Sequence, residues 1–236
     1  MKLSIDHIST ADAPDAPQWT PSDPLRVYTF VRVVVTERGR RAGSDFAVRV
    51  ATPAGLAQLE SAEGVLSAGR PLLLLPTHDF AALSSALRSV VSDCEAETMA
   101  ECVRNLQRYF EWEYAGIEGE SRASVRTIRL TVHEIATAIG ANARHWQPED
   151  TASVDELFRV TIGEKSRSES SSFTFRVATP KGLVGQRAIM LPRSLLLLEQ
   201  YDFDVMFGWL QRTVKACEAE TWRASVENLE RFFDRA

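Results

Sequence analysis

Four histidines, three cysteines and a scatter of carboxylates are the side chains able to do metal, nucleophilic or acid–base chemistry, and their spacing decides whether they can. His133-Glu134 opens like a zinc-binding helix, which needs a second histidine one turn on, but position 137 is Thr137 and the next histidine is His145. The metal reading fails. Cys94 and Cys217 each precede the same Glu-Ala-Glu-Thr run. A nucleophilic thiolate needs a base or a positive charge to lower its pKa, and neighbouring glutamates oppose that, so a buried thiol closing a helical corner is the better reading. Gly182-Leu183-Val184-Gly185 lacks the lysine and hydroxyl of a phosphate-binding loop. These residues predict no catalysis, no metal and no cofactor.

Binding is what remains. Phe110-Glu111-Trp112-Glu113-Tyr114 alternates rings with acids, as an edge strand does, and would set three rings on one face and two carboxylates on the other. With Asp93, Glu95 and Glu97 those acids would form a rim able to grip a basic protein, with Trp112 or Tyr114 as anchor; a plain core-facing strand is the alternative. On strand alternation alone, charge reversal at Glu111 and Glu113 should change stability by no more than roughly 0.5 kcal/mol.

The elements that position these residues occur twice. Phe46-Ala47-Val48-Arg49-Val50-Ala51-Thr52-Pro53-Ala54-Gly55-Leu56 returns as Phe173-Thr174-Phe175-Arg176-Val177-Ala178-Thr179-Pro180-Lys181-Gly182-Leu183, at a spacing of 127 residues. After a shortening of four residues, at a spacing of 123, Leu72 to Leu75, Asp79-Phe80 and Asn105-Leu106 fall on Leu195 to Leu198, Asp202-Phe203 and Asn228-Leu229. Duplication predicts two domains of one kind, 1–118 and 127–236, joined by a linker at 119–126. Each is long enough to bury its own core.

Each unit reads as a strand at Leu3, Ile5 and His7, a strand from Val27 to Val35 covered on both faces, and a hairpin through the variable loop Glu37 to Ser44 into Phe46, Val48 and Val50. Thr52-Pro53 and Thr179-Pro180 start a short helix, and the glycine two residues after each proline has no part in that signal. Leu72 to Leu75 is a buried strand. Asp79 and Asp202 cap a helix, and Thr98 with Glu101 makes a capping box for another, weakened in the second copy where Ala224 replaces the glutamate. The fold class is therefore α+β, a largely antiparallel sheet covered by helices, in tandem.

Charge is unevenly shared. Residues 1–118 hold 11 Lys and Arg against 16 Asp and Glu, while 119–236 hold 16 of each. An acidic first half disfavours nucleic acid as a direct ligand and favours a basic protein reached by electrostatic steering. Three cysteines, an odd number without a disulfide framework, suit a reducing cytoplasm, and the Lys2 to His7 start predicts neither signal peptide nor membrane span.

The Trp19-x-Pro21-x-Asp23 turn, the Thr52-Pro53-x-Gly55-Leu56 corner, the Asp79-Phe80 helix start, Cys94-x-x-x-Thr98 and the Trp112-Glu113-Tyr114 tail together resemble immunity protein family eight of bacterial polymorphic toxin systems. The resemblance implies a cytoplasmic antidote that blocks a cognate toxin domain by stoichiometric binding, without catalysis or cofactor. Thr221-Trp222 keeps the family's helix opening where Thr98-Met99 departs from it, and the first copy keeps part of the aromatic–acidic tail that the second does not. The toxin surface is expected on the first copy, with the two repeats packed together. A duplicated regulatory or small-molecule binding module is the alternative function.

Overall fold

The computed structural model describes residues 1–10, 19–40, 43–61, 63–68, 71–112, 127–165, 169–192 and 194–236. Glu113, Tyr114 and the linker at 119–126 lie outside the described residues. Two compact units are present. Unit 1 takes Met1–Gln58, Arg70–Glu120 and Val184–Pro192; unit 2 takes Leu59–Gly69, Ser121–Leu183 and Arg193–Ala236.

In unit 1 the sheet is built from β1 (Leu3–Thr10), β2 (Tyr28–Glu37) and β3 (Gly43–Ala51), paired antiparallel in that order. The far edge of β3 is shared. There β5 (Leu72–Leu74) runs parallel to Arg49–Ala51, and β6 (Glu111–Trp112) runs antiparallel beside Phe46 and Ala47. Helices α2 (Phe80–Asp93) and α3 (Met99–Leu106) cover one face, with Leu83, Leu87, Val91, Cys102 and Leu106 buried against Val31, Val33, Val35, Phe46, Val48 and Val50. That residue set explains the architecture, since each helix carries one apolar stripe and the strands alternate. Strand β2 departs from expectation in one respect. It is central but not covered on both faces, because Tyr28 and Phe30 are 37% and 42% exposed while Val31 and Val33 are fully buried.

Unit 2 repeats this plan. Strands β7 (Leu130–Thr137), β8 (Asp155–Glu164) and β9 (Ser170–Ala178) pair antiparallel, β10 (Leu195–Leu198) runs parallel to β9, and β4 (Val65–Ala68) pairs antiparallel with the outer edge of β10. Its helices are α4 (Phe203–Ala216) and α5 (Trp222–Leu229), packed on Phe158, Val160, Ile162, Phe173 and Phe175. The tail has a counterpart too: β11 (Asp234–Arg235) pairs with Phe173 and Thr174, the strand positions that β6 occupies in unit 1. The second copy therefore keeps the tail strand and changes its side chains. Irregularities match as well, since both first strands bulge at the same place, between Ile5 and His7 and between Val132 and Glu134.

The repeated Thr-Pro-x-Gly corner is a latch for the fold. Thr52 Oγ1 donates to Leu25 O at 2.5 Å and accepts from Val27 N at 3.0 Å and Gly55 N at 3.2 Å. Thr179 Oγ1 does the same with Ala152 O, Val154 N and Gly182 N at 2.6, 3.0 and 3.2 Å. A hydroxyl buried to this degree must find such partners. The glycine has its reason here also: a Cβ on Gly55 would stand 2.0 Å from Val27 O, and one on Gly182 would stand 1.9 Å from Val154 O. In the first copy the corner winds into α1 (Pro53–Leu56), whereas the second copy passes through it as a turn, so the expected helix forms only once.

Candidate functional site

Three of the acids singled out from sequence, Asp93, Glu95 and Glu97, lie together at the corner between α2 and α3, and they are not equivalent. Glu95 is a structural clasp. Its Oε1 accepts from Leu3 N at 3.0 Å and its Oε2 from Lys2 Nζ at 2.7 Å, while the terminal amine of Met1 donates to Ala96 O at 2.6 Å. Hydrogen bonds from Lys2 and then from Leu3 N–H hold the Glu95 carboxyl below its usual range. Glu218 repeats the clasp, accepting from Leu130 N at 3.1 Å, with Ile128 N donating to Ala219 O at 2.8 Å. Asp93 and Glu97 are exposed. Beside them a shallow open groove of about 410 Å³ is lined by Ala96, Glu97, Glu101, Arg104, Asn105 and Arg108.

The β6 residues divide between the two faces, as alternation requires. Trp112 pairs with buried Phe46 and packs against the core; Glu111 pairs with Ala47 and faces outward, away from the helices. The acids are thus not one rim: the helix corner holds Asp93, Glu95 and Glu97, and the outer sheet face holds Glu111. On that face Glu111 accepts from Arg49 Nη1 at 3.1 Å, and the Arg49 guanidinium lies 4.8 Å from the Phe30 ring centroid. Arg49 is only 7% exposed, so Glu111 is the countercharge of a nearly buried cation. Charge reversal at Glu111 is therefore a stability change, and the small effect expected from strand alternation does not hold.

Sequence reading missed Tyr28 and Phe30, which with Arg49 and Glu111 make an aromatic and ionic patch. The strict alternation of Tyr28, Phe30 and Arg32 with Thr29, Val31 and Val33 was the available signal, hidden by the apolar character of the whole run.

The remaining chemistry-bearing residues have structural places. Cys94, Cys102 and Cys217 are buried, and burial pushes the Cys217 thiol up to about 12, the opposite of what a nucleophile needs. Asn105 Nδ2 donates to Cys94 O and Asn228 Nδ2 to Cys217 O, each at 3.4 Å, which accounts for the matched asparagines. His78 stacks edge-on against Trp19 at 4.8 Å, the place where Tyr201 meets Trp146 at 4.9 Å. His7, His133 and His145 are exposed and lie on different elements or loops. Among the described residues no group of three or more His, Cys, Asp or Glu could hold a metal ion, and no helix is long and apolar enough to cross a membrane.

The model of the family described as Immunity protein 8 matches residues 3–116 and matches again at 132–235. No curated protein and no solved structure gives a significant match. Two tandem matches spanning nearly the whole chain, on two units that share three antiparallel strands, a parallel leucine strand, two helices and a tail strand in that order, settle the assignment: the chain belongs to the immunity protein 8 family as two copies of its unit, and its function is that of an immunity protein, which binds a toxin.

Proposed function

We propose that this protein neutralises a cognate, basic toxin domain in the cytoplasm by forming a stoichiometric complex, and that the first repeat presents the docking surface. The family match over both repeats carries the reading, and the excess of acids in residues 1–118 supports a basic partner. Within the proposed surface of Asp93, Glu95, Glu97, Glu111, Trp112, Glu113 and Tyr114, Asp93 and Glu97 act as steering charges, because they are exposed, whereas Glu95 and Trp112 support the corner and the core. Tyr28 and Phe30 are the accessible rings best suited to anchor a partner, since an aromatic half in solvent can bury apolar area that Trp112 has already buried.

Co-expression with the toxin domains encoded beside the gene tests the reading, with cell survival and a one-to-one complex on purification as the expected results. Failure to protect against, or to bind, every such toxin would overturn it.

A further inference from the structure

One edge strand of the unit 2 sheet, β4, comes from positions 65–68, inside the first sequence repeat, and pairs Ala68, Ser67 and Val65 with Leu196, Leu197 and Leu198. In unit 1 the matching place, beside β5, is taken by Met190 from the second repeat: Leu74 N donates to Met190 O at 2.7 Å and Met190 N to Leu74 O at 3.0 Å. The spacing of 123 that carries Leu74 onto Leu197 also carries Ser67 onto Met190, so these are one pairing seen twice. Side chains follow the backbone, since Ile189 and Leu191 pack on the core of unit 1 and Val65 packs on the core of unit 2.

We propose that the outer edge of the short leucine strand in each unit is a strand-acceptor site, and that its ligand is an extended segment of the opposite repeat. The chemistry on both sides fits. Leu72 to Leu74 and Leu195 to Leu198 are buried throughout, so an open edge there would leave N–H and C=O groups out of reach of water, and such groups require a partner strand. The ligand is short, extended and apolar toward the core, and it binds through its main chain, as in strand addition. Donation to unit 2 is the stronger of the two, a ladder of three residue pairs against a single bridge in unit 1. Neither sheet is complete within one repeat. A lone repeat would have to take the segment from a second copy, and tandem fusion makes that exchange intramolecular, at high effective concentration.

A protease recognition sequence placed within positions 119–126 of the full-length chain allows the repeats to be cut apart after folding. The cut protein should run as one 1:1 complex at micromolar concentration. Adding Ser67→Pro together with Met190→Pro, which removes an N–H from each exchanged segment, should weaken association of the fragments roughly a hundredfold. Separation of the unsubstituted fragments, or undiminished association with both prolines in place, overturns the proposal. Amide hydrogen exchange on the uncut, unsubstituted chain gives a reading that no folding defect can imitate. The Leu74 and Met190 amides should both exchange far more slowly than unstructured peptide, and exchange of Met190 at the unstructured rate would also overturn it.

Discussion

The outer sheet faces of the two units carry the same arginine in different company. In unit 1, Arg49 lies on Phe30 and pairs with Glu111, a carboxylate supplied by the tail strand β6. In unit 2, Arg176 binds Asp155 of β8 through two N–H groups, and Asp155 stands where unit 1 has Tyr28. Leu157 replaces Phe30, and Asp234, at the place of Glu111, accepts from Ser194 Oγ. A countercharge on the neighbouring strand gives unit 2 an aliphatic side chain beside an ion pair between two strands of its sheet, where unit 1 has two exposed rings and a tail carboxylate on the arginine. The features common to both copies, namely the threonine latch, the glutamate clasp and the asparagine bond, hold the fold. Partner recognition is to be sought where the copies differ.

The common scaffold gives the largest expected effect. Gly55→Ala and Gly182→Ala each drive a Cβ into a backbone carbonyl that cannot turn aside, and each should cost about 3 kcal/mol by chemical denaturation. A substantial cost at one site and none at the other would break the equivalence of the two corners.

Next come the faces that differ. Glu111→Lys sets a like charge against Arg49, and because Glu111 is half in solvent the cost should be about 1–2 kcal/mol, below that of a fully buried pair. Asp234→Lys leaves the Arg176 pair with Asp155 intact and should cost less, about 1 kcal/mol at most. Equal losses would show that the tail carboxylate serves both units alike.

Binding discriminates the units without touching their stability. Asp93→Lys with Glu97→Lys should slow toxin association roughly two- to tenfold at low salt and less at high salt, while Glu220→Lys, at the position matching Glu97, leaves the rate unchanged. The reverse pattern would move the docking surface to the second repeat.

The smallest contrast is in pH. Burial holds His78 below its ordinary value of 6.5, so as pH falls past that value the unfolded chain takes up the proton first, and the contribution of unit 1 is full above about 6.5 and declines in acid. Burial, with the Asp202 charge adding to it, raises Tyr201 from 10.0 to about 12, so between those values the unfolded chain loses its proton first and unit 2 weakens in alkali. Replacing Tyr201 with Phe should remove that alkaline component from melting curves recorded between pH 9 and pH 12, and a curve unchanged by the substitution would refute the assignment.

The duplication, the helix stripes with their Asp79, Thr98, Asp202 and Thr221 caps, and the buried leucine strand were all legible in the chain, because they depend on residues close in sequence or on its comparison with itself. Strand alternation also told correctly that Trp112 and Glu111 point to opposite faces. Strand β4 was not legible: four residues, with three apolar side chains of which one is only an alanine, make too weak a local signal, and its stability comes from a β10 edge more than a hundred residues away. Nor could the chain reveal that Glu95 clasps Leu3 or that Glu111 neutralises Arg49, since a carboxylate looks the same in sequence whether its partner is water, an amide or a guanidinium. The sequence by itself determined the repeated unit, its elements and its family. The tertiary structure alone decided which repeat completes which sheet and which acids remain accessible to a partner, because long-range strand pairing and burial depend on what the folded chain brings to each edge and face.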